Sequence, residues 1–399
     1  MSLVRLEFLT DDEDLIQLCT LYWQIDQEGV FACKVADLAR NFGLSTNELS
    51  KRVKNSCKAS STAKFCDECK SAYVYSSRTD IQNLLRYPTH SWLCEDCTKK
   101  QEAREKAEQA AVILRKRQLV LEIFSLDQME EIDVKTLALE DIVYLISFVR
   151  LGAAEDFSFI RPLGSITDLL SPRKHFDYDI LKRLYRKGLI CVHPNSDVDA
   201  FNFEGEDVES FKLDKVFWAL PARINGSSTQ ELIAAAEDLL KTKEWPEVWC
   251  EEAYTLWKQI ALEESLQYLE MVLEEHRLPF NPGEKTHLMF SQLLEQYSVA
   301  QAYNFIWRAA KDAAAFYQRG GVNKQHAANT VVGAIQRQAE RALSEGWEVK
   351  AYRRDFRCPQ STISQVLFDT VLQMADIGFT QPPRVGAISK FSSNTADVD

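Results

Sequence analysis

The sequence of 399 residues has no apolar run of the roughly 20 residues needed to cross a bilayer. Its most apolar stretch, residues 142–154, is broken by Arg150. The opening Met-Ser-Leu-Val-Arg-Leu-Glu-Phe lacks the basic segment, apolar run and small-residue cleavage site of a secretory signal, so a cytoplasmic location without membrane contact is expected. Glycine (14) and proline (11) are sparse, which excludes a collagen or a mucin stalk. Catalytic signatures are missing too. Gly283-Glu284-Lys285-Thr286 is no phosphate-binding loop, because Glu precedes its Lys and no upstream glycine stands at the needed spacing. There is no His-Glu-x-x-His and no Gly-x-Ser-x-Gly. His276 with His287, and Cys191 with His193, are too isolated to form a pair. The reading therefore leans away from an enzyme.

What is present is a chain of 46% apolar residues, long enough for several cores. The net charge of −12 excludes a histone-like or ribosomal protein, but it is unevenly spread. Residues 34–118 carry 17 Lys and Arg against 10 Asp and Glu, a net of +7. Residues 301–360 carry 10 against 5, a net of +5, while residues 201–300 carry 8 against 19, a net of −11. A local positive field can bind phosphate whatever the total charge. A solvated face, or pairing with the acidic middle of the chain, accounts for the same charges.

Four of the ten cysteines form two Cys-x-x-Cys pairs, Cys66 with Cys69 and Cys94 with Cys97. Each pair places two thiolates on one tight turn, and two such turns give the four-sulfur cage preferred by structural zinc. A closed cage leaves no open coordination position, so the metal is expected to be structural. The 24 intervening residues include a strand at Ala72–Tyr75. The segment resembles a zinc ribbon. The competing reading is a redox pair, which normally sits at a helix N-terminus in an α/β unit, and no such unit is read here. Cys57 and His90 are substitute ligands, and Lys64, Lys70, Arg78 and Arg86 surround the pairs. Cys19, Cys33, Cys191, Cys250 and Cys358 read as small buried hydrophobes.

Thr10 and Glu13 fit a capping box opening a helix that buries Leu15, Leu18, Cys19, Tyr22 and Trp23. Next, Ala39 is small where two helices approach, Gly43 supplies a permissive turn, and Ser45 with Glu48 caps a following helix with Leu49 and Val53 inward. Val35–Val53 resembles a helix-turn-helix. That resemblance implies that Thr46, Asn47, Ser50, Lys51 and Lys54 face bases and phosphates. A purely structural helical hairpin remains open. A long helix is expected over Thr98–Phe124, whose Arg115-Lys116-Arg117 triplet faces phosphate or solvent.

Residues 136–220 read as three helices and a hairpin: Leu139–Val149, Ser165–Leu170 and Asp177–Lys187 ended by Gly188, then strands over Leu189–His193 and Ala200–Phe203. Leu181, Leu184, Gly188, Leu189 and Ile190 make this similar to the recognition helix and wing of a winged-helix domain. Lys182, Arg183, Arg186 and Lys187 would lie outward. Asp197, Asp199, Glu204, Glu206, Asp207 and Glu209 make the wing acidic, so protein docking competes with DNA binding there.

Beyond residue 228 the periodicity is helical: Ser228–Thr242, Pro246–Ile260, Glu264–His276, Pro282–Glu295, Ser298–Arg319, Asn323–Glu345 and Ser361–Met374. Arg308, Lys311, His326, Asn329, Arg337, Arg353 and Arg354 form a possible anion or partner site, against interhelical salt bridges as the plainer account.

The expected fold is therefore mainly α and multi-domain. It comprises a helix-turn-helix domain over 1–58, a four-cysteine zinc ribbon over 59–98 and a linking helix over 99–125. A winged-helix-like domain over 126–222, an all-helical domain over 223–380 and a flexible tail over 381–399 follow. The expected function is that of a non-enzymatic, prokaryotic, zinc-containing regulatory protein that binds DNA through residues 34–118. The winged-helix and helical domains would serve a protein partner or self-association. The alternative is a scaffold or adaptor subunit of a mobile-element or phage-defence complex that touches no nucleic acid.

Overall fold

A computed structural model describes residues 3–26, 29–86, 91–126, 134–220, 229–241 and 245–388. The protein is mainly helical with small antiparallel sheets, and it divides into two compact units, Met1–Leu114 and Arg115–Asp399.

The first unit opens with strand β1 (Val4–Phe8) and helix α1 (Glu13–Trp23). Asp12, not Thr10, caps α1, its carboxylate accepting from the amides of Asp14 and Leu15 at 3.0 and 3.2 Å. Thr10 instead accepts from the Asp12 amide. The carboxylate two residues nearer the helix satisfies two orphan donors, so the expected capping box does not form. Helices α2 (Val35–Asn41) and α3 (Thr46–Ser56) meet at Gly43, whose φ of +65° lies in the left-handed region. Ser45 and Glu48 form the expected capping box on α3. Leu18, Leu38, Leu49 and Val53 share a core with Cys19 and Trp23.

Strand β2 (Cys57–Phe65) follows α3 directly and pairs with β1, from Val4↔Ser61 to Phe8↔Cys57. It also pairs with β3 (Ala72–Tyr75). The strand running to the first cysteine pair is thus the centre of a sheet whose edge comes from the chain start, and the expected division at residue 58 falls inside shared structure. Helix α4 (Arg78–Arg86) and the long α5 (Glu95–Ile123) complete this part of the chain, with the division between units falling within α5.

In the second unit, α6 (Leu139–Gly152) is buried nearly all round. Helix α7 (Lys174–Arg186) ends as expected at Gly188, φ +67°, with the Leu189 amide reaching back to the Leu184 carbonyl. The short helix expected at Ser165–Leu170 is absent; a single tight turn covers Leu163–Ser165. The expected hairpin pairs differently. Strand β4 (Cys191–Val192) joins β7 (Trp218–Ala219), and β5 (Phe201–Glu204) joins β6 (Asp207–Phe211) around Gly205. Ile160 bridges to Trp218 beside them. Residues 193–217 are thus an excursion carrying its own hairpin. The Arg115-Lys116-Arg117 triplet docks on that excursion: Arg115 on Glu206, Lys116 over the Phe203 ring, and Arg117 on Ser196 and Asn195.

Helices α8 (Thr229–Lys241), α9 (Glu247–Glu275), α10 (Glu284–Leu293), α11 (Val299–Gln318) and α12 (Lys324–Ser344) follow. The two helices expected over 246–276 are one uninterrupted α9, since no breaker separates residues 260 and 264. The helix expected over Ser361–Met374 begins as α13 (Thr362–Gln365) and widens into a π-type turn over Val366–Val371. The amides of Thr362 and Ile363 bond to the carbonyls of Leu169 and Leu170 at 2.8 and 3.0 Å. Short helices α14 (Ile377–Thr380) and α15 (Val385–Ile388) close the described chain. Pro382, Pro383 and Ile388 are buried, so the segment read as a tail is packed as far as Ile388.

Asp177, in the first turn of α7, accepts from the Ser171 amide and hydroxyl at 2.8 and 2.5 Å. Burial pushes its carboxyl up to about 6. The folded chain therefore holds this proton more tightly than the unfolded chain, where an aspartate titrates near ~3.9. Stability is expected to fall as pH rises from about 4 to about 6 and to level off above. Asp177→Asn should flatten that decline. Thermal denaturation of both proteins across this window checks it, and an unchanged pH dependence in the variant counts against it.

Candidate metal centre and basic helix

The first cysteine pair sits at the tip of the β2–β3 hairpin. The Cys66 amide donates to the Ser71 carbonyl at 2.8 Å and the Lys70 amide to the Cys66 carbonyl at 3.0 Å. Lys70 takes φ +59°, which closes the knuckle. The second pair stands elsewhere than a ribbon predicts. Cys94 immediately precedes α5 and Cys97 lies in its first turn, the Thr98 amide donating to the Cys94 carbonyl at 2.9 Å. The expected second knuckle is thus a helix N-terminus, whose orphan amides and dipole favour thiolate. That position removes one argument against a redox pair, but the parallel α/β unit is absent among the described residues.

All four sulfurs lie within 4.8 Å of one another. Cys69 Sγ and Cys94 Sγ are 3.5 Å apart, and the Cys94 amide donates to Cys66 Sγ at 3.3 Å. A tetrahedral zinc with bonds of about 2.3 Å separates its sulfurs by about 3.8 Å, so the donor set and its spacing fit the metal. Hydrogen bonds from the Ser71 hydroxyl and amide lower the Cys69 thiol to about 6. Burial raises the Cys66 thiol, yet the amides of Cys94, Cys69 and Glu68 outweigh it and hold the group below its ordinary value. Burial pushes Cys97 up. Cys57 is no part of the cage. It is buried and donates to the Val53 carbonyl at 3.5 Å, which Cys19 also approaches. His90 lies outside the described residues.

The cage is tied to its surroundings by Asp67. Its amide donates to the Trp92 carbonyl at 2.9 Å and its carboxylate accepts from the Trp92 amide at 2.8 Å. The Trp92 ring meets Tyr73 edge-on at 5.0 Å. Of the four cations expected around the cage, Arg78 is not at the surface. It is buried between the rings of Tyr22 and Phe31, each 4.4 Å away, and donates to the Cys33 carbonyl at 2.6 Å. Sequence spacing could not foresee this, because the loop that supplies Phe31 and Cys33 has no periodicity.

On α3 the five residues singled out are all exposed. Thr46, Asn47, Ser50, Lys51 and Lys54 fall at i, i+1, i+4, i+5 and i+8, which is one broad helical face, adjoining the buried edge of Leu49 and Val53. The Ser50 hydroxyl is turned back onto the Thr46 carbonyl at 3.0 Å.

The C-terminal group gains less. Arg308, Lys311, His326, Asn329, Arg337 and Arg353 are exposed. Lys311 lies over Trp307, His326 near Phe316, and Asn329 accepts from Gln325. Arg354 is spent structurally: it grips buried Glu264 at 3.0 Å and stacks on Phe379 at 4.2 Å. The adjacent Glu263 holds Arg173 at 3.1 Å. A Glu-Glu pair on a helix is usually solvated, yet Glu263 and Glu264 are both buried and paired with Arg173 and Arg354. Half-buried Arg183 on α7 and exposed Lys187 just past its end both pair with fully buried Asp141. Lys182 and Arg186 remain exposed beside a cleft of about 410 Å³.

No helix among the described residues is long and apolar enough to cross a membrane. Comparison with protein-family models, with curated proteins and with solved structures finds no match to this chain.

Proposed function

We propose that this chain is a non-enzymatic, zinc-containing DNA-binding or regulatory protein whose contact surface is the outer face of α3 with the four-cysteine centre nearby in the same unit. The observation that carries the reading lies within the exposed surface of α3: three short polar side chains and two lysines share one side of a capped helix, behind a Gly43 turn. Short polar groups reach base edges and lysines reach phosphates. The net +7 of residues 34–118 supplies the long-range attraction. Zinc would hold the hairpin against the start of α5 and take no part in chemistry.

We read residues 134–220 as a winged-helix variant. Its order is α6, the Ile160 bridge, α7, β4, a hairpin excursion and β7. Its basic residues support docking more than DNA contact, since Arg183 and Lys187 neutralise Asp141 and Arg115 pairs with Glu206. The scaffold alternative draws on the exposed Leu343 and Trp347 at the end of α12.

Binding of the full chain to labelled duplex across a salt series tests the reading. The logarithm of affinity is expected to fall steeply and linearly with the logarithm of salt concentration. Lys51→Gln and Lys54→Gln should each reduce that slope by about one, without changing zinc content. Absence of binding at about 50 mM salt, where phosphate contacts are strongest, sinks the DNA reading and leaves the scaffold.

A further inference from the structure

Beside the cysteine cage opens a cleft of about 510 Å³, between the β2–β3 hairpin, α4 and Trp92. Its lining sets the rings of Phe65 and Trp92, with buried Tyr75, beside Lys64 and Lys70, and the Lys70 ammonium also donates to the Asp67 carbonyl at 2.8 Å. Phe65 is 46% exposed and so offers a ring face to solvent. The one carboxylate in the lining, Asp67, is already engaged by the Trp92 amide. The cleft is large enough for one base with its sugar. Flat apolar walls next to fixed positive charge match a ligand that is aromatic on one side and anionic on the other. An acidic peptide would match the charge of the lysines and leave the rings bare.

We infer that this cleft accepts one unpaired nucleotide of a bound strand, the base stacking on the aromatic walls and its phosphate meeting Lys64 and Lys70. The inference rests on the nucleic-acid reading above but uses a different surface from α3. Stacking of this kind tolerates any base, so the preference predicted is for single-stranded over duplex ends, not for a sequence. The cage sets the cleft's shape, because Asp67 in the first knuckle holds Trp92 just ahead of the second pair.

The test uses the full zinc-loaded chain, a labelled oligothymidine and a labelled duplex, read by anisotropy. Phe65→Ala and Lys64→Gln should each weaken oligothymidine binding about tenfold, and Phe65→Ala should leave duplex binding unchanged. Photocrosslinking from 4-thiothymidine should map to Phe65 or Trp92. Duplex binding without oligothymidine binding overturns the cleft while leaving the α3 reading intact. Oligothymidine binding that both variants retain, or crosslinks confined to α3, overturns it as well. Oligothymidine binding lost in the variants, with no duplex binding in any protein, supports the cleft and sinks the α3 reading instead.

Discussion

Chelation of the metal is expected to unfold the segment from β2 to the first turns of α5. Residues 66–97 have little apolar burial of their own: Cys66, Tyr75, Arg78, Ile81 and Cys97 are buried, and most other described positions are at least partly open. A structural zinc contributes about 10–16 kcal/mol to small cysteine sites, far more than this segment's packing supplies. The β2–β3 pairing should melt with it, since the hairpin turn is the metal knuckle itself. β2 also pairs with β1 and packs on α3, so part of the loss should spread to the core shared by α1, α2 and α3. Elemental analysis should find one zinc per chain. Cys66→Ser or Cys97→Ser should abolish it, and hydrogen exchange should show residues 57–100 losing protection on chelation. A chain that purifies without metal and keeps that protection would falsify the structural-zinc reading.

The second large effect is expected at Glu264, which is 1% exposed on α9. Its carboxylate takes both ends of the Arg354 guanidinium, at 3.0 and 3.1 Å, and the Ser364 hydroxyl at 3.0 Å. Glu264→Ala strands a partly buried arginine and a buried hydroxyl together. Breaking a buried pair from one side costs about 3–5 kcal/mol, which in a unit of this size lowers Tm by about 10 °C. Replacing both partners, as Glu264→Leu with Arg354→Met, should recover most of the loss, because the desolvation cost then disappears with the charges. Calorimetry of the single and double variants separates the two cases. Equal losses in both would mean that packing, not charge burial, decides the stability at this position.

What the sequence made legible follows from local rules. The α3 capping box, the Gly43 and Gly188 turns and the first cysteine knuckle are each set by residues within a few positions, and each stands where its pattern puts it. What it hid depends on distant partners. Periodicity places Lys187 and Arg183 outward and composition groups Arg354 with an anion site, because no pattern reveals that buried Asp141 and Glu264 pair with them. The hairpin of 189–203 looked consecutive because neighbouring strands usually pair; instead β4 reaches across to β7, 26 residues away by Trp218. The second cysteine pair looked like another knuckle because Cys-x-x-Cys does not say whether a strand or a helix follows it. Arg78, buried between two rings, illustrates the same limit.

One backbone contact governs when the second unit can form. The Thr362 and Ile363 amides close on the carbonyls of Leu169 and Leu170, with Thr362 adding its hydroxyl across 193 residues of chain. During synthesis the early part of this unit therefore leaves the ribosome long before its partner exists. At about 5–20 residues per second that interval is on the order of ten seconds or more. Over that time the apolar surface around α6 and α7 stays open to chaperones or to a second nascent chain. A premature stop anywhere before residue 362 would leave it open permanently.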